Sequence, residues 1–291
     1  MLPQQAGWLL LIVPGLIWGA SFLFIAEGLR SVGPNGVAFL RILIGFATLA
    51  CFPAARNVTI GKSAWTRILL LGLLWFAFPL TMFPYAEQRV SSAMTGMLNG
   101  ANPLFATLVA SYLLKAWPGR NVMIGIAVGL FGTVLMAIPA ANEGQNSPLG
   151  VVMILAALIS YGFALSIARS LQQEYGAIPV IWRAQAVGLI LTAPLGIPDV
   201  MHANWQLAPV LSLLALGSLG TAIANVLMAM AAGKYGAARA SGTTFLIPVV
   251  ALILGVLLRN ERVEPIAILG GAVCLLGAWF MKREPKPLPS R

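Results

Sequence analysis

The sequence predicts an all-α polytopic membrane protein, with ten transmembrane helices arranged as two inverted five-helix repeats. Composition is the first reason. Hydrophobic residues make up 59% of the chain and charged residues 9%, against about 45–50% and about 25% in a soluble domain. The second is a series of ten apolar runs, each near the ~20 residues that a helix needs to cross a bilayer core. The third is a stretch carrying asparagines and a proline that returns half a chain later in the same setting.

The first run, 8–26, lacks a basic start and a small-residue cleavage site, so it reads as a retained span and not a signal peptide. Trp18 lies too deep in it for an interfacial anchor, and with Ser21 and Phe22 it offers a gate or a cavity wall. The second run, 36–54, holds Arg41 near its start. A cation there faces a partner or a cavity, or snorkels to the surface; gating and carboxylate recognition are both open. In the third, 64–84, Phe78, Met82 and the following Tyr85 fall at i, i+4 and i+7. Such a stripe is either packing or the wall of a cavity.

The fourth run, 91–114, is the unusual one. Thr95, Asn99 and Asn102 fall on one helical stripe, while Ser92, Gly96 and Gly100 make a neighbouring small-residue seam. Lipid cannot satisfy an amide, so these groups either bond to neighbouring helices or line a wet cavity. Pro103 follows, as a packing bend or a hinge. The fifth run, 122–140, is glycine-spaced at Gly125, Gly129 and Gly132, and the tenth, 265–281, at Gly270, Gly271 and Gly277. These two pack each other or a second copy, which leaves monomer and homodimer both open.

In the second half, Tyr161 and Phe163 occupy the sixth run, 148–168, where Trp18 and its neighbours stand in the first. Arg183 in the seventh, 178–197, corresponds to Arg41. Thr221 and Asn225 lie one turn apart in the eighth, 208–231, and Ser241, Thr244 and Pro248 form the polar stripe and bend of the ninth, 237–258. Adding 145 takes Arg89 to Lys234, Ala93 to Ala238, Pro103 to Pro248, Leu113 to Leu258, Gly125 to Gly270, Gly132 to Gly277 and Met136 to Met281. A fixed offset of half the length predicts a duplication, with units at 1–143 and 144–291.

Five spans per unit is an odd number, so the second unit enters the membrane inverted, and a central site can open to either side in turn. Arg56, Lys62, Arg67, Lys115, Arg120, Arg169, Lys234, Arg239 and the tail Lys282, Arg283, Lys286, Arg291 share the side of the termini. That bias places both termini in the cytoplasm. The net charge of +10 is thus a topological signal and not a nucleic-acid footprint.

Trp18-Gly-Ala-Ser-Phe22, Arg41, the paired Pro103 and Pro248, and Leu-Leu-Arg-Asn-Glu261 together resemble the drug/metabolite transporter superfamily, in its ten-helix EamA branch. The pattern is similar to that of the YddG-type aromatic amino-acid exporters. The resemblance implies export of amino acids, metabolites or cationic drugs from the cytoplasm across a bacterial-type inner membrane, by alternating access. The family's acidic residue thirteen positions after the span proline is present as Glu261, but Ala116 stands at that place in the first half.

The expected function is therefore amino-acid or small-metabolite export through a cavity bounded by the first, third, fourth, sixth, eighth and ninth spans. Trp18, Ser21, Phe78, Met82, Tyr85, Thr95, Asn99, Asn102, Tyr161, Phe163, Thr221, Asn225, Ser241 and Thr244 are its candidate substrate-binding residues. Arg41, Pro103, Arg183 and Pro248 are its candidate gates and hinges. No carboxylate lies deep in a span, which favours uniport or exchange; proton-coupled efflux of drugs or organic cations is the alternative, and a channel a lesser one. An enzyme would need a nucleophile and base or metal ligands at depth, yet the one histidine, His202, is in a loop. Cys51 and Cys274 lie in separate apolar runs, so no metal or other cofactor is expected.

Overall fold

The computed structural model describes residues 9–142, 148–235 and 241–281. Arg239, the basic tail 282–291 and the side chain of Ser241 lie outside what is described. Ten rods follow in order: α1 (Leu9–Gly28), α2 (Pro34–Ala50), α3 (Lys62–Glu87), α4 (Ser92–Asn99 and Asn102–Leu114), α5 (Arg120–Asn142), α6 (Pro148–Tyr175), α7 (Ala177–Met201), α8 (207–235), α9 (241–259) and α10 (Pro265–Met281). The described residues contain no strand. Rods α1, α3, α5, α6, α7 and α8 are long and apolar enough to cross a membrane, while α2, the second piece of α4, α9 and α10 are shorter apolar helices.

Local chemistry sets several of the ends. The second predicted span reached residue 54, but α2 stops at Ala50 and a separate short helix, Pro53–Arg56, follows. A residue that precedes proline is driven out of the α region, which ends the rod. Between α6 and α7 the chain reverses at Gly176, whose φ of 85° is a conformation that other residues resist.

Three irregularities recur about 145 positions apart. The third rod of each half contains a π-helical turn, Gly72–Ala77 in α3 and Leu216–Ile223 in α8. The fourth rod of each half changes pitch beside its proline. In α4 the amides of Gly100 and Ala101 bond three residues back, to Met97 and Leu98, before the helix restarts at Asn102. In α9 a 3₁₀ turn, Ser241–Phe245, precedes Leu246–Arg259. Pro103 and Pro248 both fall in the first turn of the restarted helix, where a missing N–H costs least. Both fourth rods end in a left-handed residue, Lys115 at φ 50° and Asn260 at φ 53°.

Packing follows the same numbering. α2 packs on α7, α4 on α9 and α5 on α10, while α3 on α6 is matched by α8 on α1, and α1 on α9 by α6 on α4. Adding five to each rod number returns the same set. The glycine-spaced rods pack each other: a β-carbon at Gly132 would strike the backbone of Cys274 and Gly270, and one at Gly277 that of Gly129 and Gly125. Gly132 and Gly277 are thus occupied within the chain. The small-residue seam of α4 works likewise, with Gly96 against Ala251 and Gly100 against Pro248.

Candidate functional site

A cavity of about 620 Å³ occupies the middle of the bundle. Every rod contributes to its wall, not only the six predicted, because α2 brings Arg41, and α5, α7 and α10 bring Val122, Ile181 and Ala278. Of the predicted residues, Trp18, Ser21, Arg41, Asn99, Asn102, Pro103, Tyr161, Thr221, Asn225 and Thr244 lie on that wall.

The cavity reaches one end of the bundle only. Val122 and Ala177 stand in the first turn of α5 and α7, and Gln172 and Ala278 in the last turn of α6 and α10. In an up-and-down bundle those positions share one end, the end where α1 starts and α10 stops. At the other end the wall stops at Phe22, Phe83 and Tyr161. The ring centroids of Phe22 and Phe83 are 5.7 Å apart, and those of Phe83 and Tyr161 6.0 Å.

Beyond this aromatic layer, polar contacts tie the two halves together. Glu261 accepts from the Ser92 amide at 3.1 Å, the Ser92 hydroxyl at 2.7 Å and the Ala93 amide at 2.8 Å. A carboxylate at a helix N-terminus satisfies amides that have no partner in the helix and meets the positive end of its dipole. Arg259 bridges Glu261 at 3.2 Å and Glu27 at 3.5 Å. The Gly36 amide donates to Asp199 at 3.1 Å. The acid that the resemblance singled out, Glu261, is therefore a clasp between α4 and the end of α9.

Several polar groups at the cavity (Trp18, Arg41 and Asn225) gather on the π turn of α8, at Gly220 and Thr221. A π turn leaves carbonyls whose usual α-helical donors have moved on, and inside a membrane they need other partners. Trp18 Nε1 donates to the Gly220 carbonyl at 3.0 Å, and Ser160 donates to Leu74 at 2.8 Å. The Thr221 carbonyl accepts from Gln185 Nε2 at 2.8 Å and Asn225 Nδ2 at 3.0 Å. The Thr221 hydroxyl reaches back to Leu216 at 3.0 Å and accepts from Arg41 Nε at 2.9 Å. Gln185 is wholly buried and carried no distinguishing signal in the sequence, since an isolated polar residue does not reveal which carbonyl it will serve. Asn102 faces the cavity with its Oδ1 buried and without a hydrogen-bond partner.

Other predicted residues lie elsewhere. Thr95 is fully buried beyond the aromatic layer, at the level where Phe22 covers Gly96, and its hydroxyl returns to Ser91. Phe78 points outward at 37% exposure, Met82 packs in the core, and Tyr85 accepts from Asn35 at 2.9 Å. The wall of α3 is formed by Trp75, Phe76, Leu80 and Phe83. The predicted stripe at 78, 82 and 85 lies wholly in the regular helix Phe78–Glu87, where Leu80 and Phe83 form an equally apolar face, so the spacing had no means of choosing between them. Phe163 falls off the wall, two residues and more than half a turn from Tyr161. Pro248 is covered by Gly100. Arg183 stays outside the cavity because the loop after α2 offers it acceptors: its Nη1 donates to Ala55 at 3.0 Å and Pro179 at 3.2 Å, and its Nη2 to Val58. His202 is exposed in a loop beside the Pro198 carbonyl.

Comparison with known proteins follows the same two halves. The model of the EamA-like transporter family matches residues 5–138 and again 148–283. Among curated relatives, an uncharacterised transporter of Bacillus subtilis, YdfC, is 28% identical, covering 91% of this chain and 87% of its own. A probable terminal-alkyne amino-acid exporter of Streptantibioticus cattleyicolor is 25% identical over 97% and 94%. A probable amino-acid metabolite efflux pump of Escherichia coli is 24% identical over 91% of each. One solved crystal structure superimposes with a TM-score of 0.62 at 18% identity, covering 95% of this chain and 96% of the other, which speaks for the fold alone.

Proposed function

Since the chain belongs to the EamA-like transporter family, we propose that it exports amino acids or similar small metabolites from the cytoplasm by alternating access through the central cavity. The observation that carries this reading is a blind-ended cavity in mid-bundle, polar at the π turn of α8 and along Asn99 and Asn102, and aromatic at its closed end. A site reached from one side, with halves that exchange roles under a five-rod shift, suits a carrier better than a fixed pore.

In this reading all ten rods span the membrane as two inverted repeats, 1–143 and 144–291. The open end holds Arg56, Lys62, Arg67, Lys115, Arg120, Arg169 and Lys234, and the closed end the acids Glu27, Glu87, Asp199, Glu261 and Glu264. The positive-inside rule makes the open end cytoplasmic, and the bacterial relatives favour a bacterial-type inner membrane. The structure is then the loading state of an exporter. One chain encloses the whole cavity, so a monomer is the working unit.

The amino-acid assignment draws on the named exporters of Streptantibioticus cattleyicolor and Escherichia coli and on the charge of the wall. No Asp or Glu stands among its described lining residues, whereas Arg41 does. A cation held about 6 Å from a guanidinium costs about 3 kcal/mol at an effective dielectric of about 20. Organic cations are therefore poor candidates.

The test is counterflow into proteoliposomes, with a panel of radiolabelled amino acids outside and the same unlabelled compound inside. Saturable uptake, accelerated by internal substrate and weakened at least tenfold by Asn102→Ala, supports the reading. Flux that rises linearly with concentration makes the protein a channel. Uptake confined to organic cations, or seen only under an imposed proton gradient, supports the drug-efflux reading instead.

A further inference from the structure

We infer that Arg41 is the anchor for a carboxylate carried by the transported molecule, and that the substrate is therefore an amino acid or other small organic acid with an apolar body. The inference rests on the transport reading above and adds the chemical class to it. Arg41 is 7% exposed and stands at the blind end of the cavity. Of the guanidinium's five N–H donors, one is engaged, from Nε to the Thr221 hydroxyl at 2.9 Å. No carboxylate lies within ion-pairing distance of it among the described residues.

The arginine at the corresponding place in the other half makes the contrast. Arg183 gives its Nη donors to three carbonyls. Arg41 leaves its Nη fork uncommitted. A charge at membrane depth is costly to keep unless something pairs with it. Glu87, at the end of α3, forms no ion pair with it, and both Glu87 carboxyl oxygens are buried without hydrogen-bond partners.

The planar fork matches a carboxylate with two parallel hydrogen bonds. Arg41 is the single cation among the described lining residues, which suits a monoanion better than a phosphate dianion. The rest of the wall completes the fit. Asn102 lines the cavity with an amide oxygen that has no donor, and by turning that amide inward it can receive an ammonium N–H, which suits a zwitterion. Trp18, Trp75, Phe83 and Tyr161 supply the surface for an apolar side chain.

The experiment compares L-phenylalanine, 3-phenylpropionate, L-phenylalaninamide, phenethylamine and phenyl phosphate with purified protein, by ligand-induced thermal stabilisation and by competition in phenylalanine counterflow. The two carboxylates are expected to compete at least tenfold better than the amide and the amine, and phenylalanine better than the phosphate. Arg41→Gln should erase the gap between acid and amide. Thr221→Val keeps the cation and removes its hydrogen bond, together with the one from Thr221 to the Leu216 carbonyl, so it should weaken the acids severalfold while preserving their preference over the amide. If the amide and amine match the acids in wild type, or if the gap survives Arg41→Gln, the role of Arg41 is overturned while transport stands. If Arg41→Gln fails to fold and Thr221→Val leaves the acids unweakened, the anchor is likewise overturned. If no compound stabilises the protein or moves, the amino-acid reading itself fails and takes the anchor with it.

Discussion

Glu87 and Trp18 mark the two extremes of polar satisfaction in the bundle. Trp18 Nε1 is matched to one carbonyl, that of Gly220 on the π turn of α8. Replacement by Phe keeps most of the ring but strands that carbonyl, at a cost of about 1–3 kcal/mol. Trp18→Phe is expected to lower the melting temperature in detergent by a few degrees and to raise the KM for counterflow; an unchanged melting curve would mean that water or another donor replaces the indole. Glu87 is the reverse case, with both carboxyl oxygens buried and unpartnered. Leu has similar reach and no polar atoms, so Glu87→Leu should raise the melting temperature. A fall would show that the carboxyl has a partner in the working protein.

At the scale of the element, the π turns of α3 and α8 set which side chains meet the cavity. A π turn is a helix carrying one extra residue, and deleting one residue from 216–223 should return α8 to a regular helix with its downstream register kept. Ser218, which bonds only its own turn at Leu214, is the residue to remove. The expected result is a folded protein of equal or higher melting temperature whose transport falls at least tenfold, because Gly220 and Thr221 no longer present the same groups. Retained transport would reduce the π turn to a packing detail. The joint in α4 is a second such device. It turns the stripe of Asn99 and Asn102 toward the cavity while Thr95, on the other side of Gly100, remains in the packed end.

For the molecule as a whole, the closed end is held by the aromatic layer and by the clasp of Glu261, Arg259 and Glu27. Hydrogen bonds to a charged group contribute about 1.5–3 kcal/mol each. Glu261→Gln keeps the shape but weakens the three bonds to Ser92 and Ala93 and the pairing with Arg259, so the far end should open more often. With Cys51 and Cys274 replaced and a cysteine placed at Ser21, on the cavity wall inside the aromatic layer, a membrane-impermeant thiol reagent added on the closed side should label the Glu261→Gln protein at least tenfold faster. Equal labelling would mean that the aromatic layer alone holds that end.

The amino-acid sequence by itself determined the class and the approximate place of the rods, and it offered the recurrence half a chain apart and a set of polar residues as candidates for a cavity wall. Lipid imposes a constraint on each segment separately, and proline, glycine and asparagine leave their marks locally. Tertiary structure alone decided which face of each rod the cavity takes and which end is shut. Phe78, Met82 and Tyr85 were plausible against Leu80 and Phe83 because both faces of α3 are apolar over Phe78–Glu87, and only the rods packed beside it select between them. Arg41 and Arg183 read alike in the chain but diverge in space, since one meets a loop rich in free carbonyls and the other a single hydroxyl. Local chemistry fixes what a helix can be, whereas the phase of a helix and the partner of a buried charge depend on residues brought near only by folding.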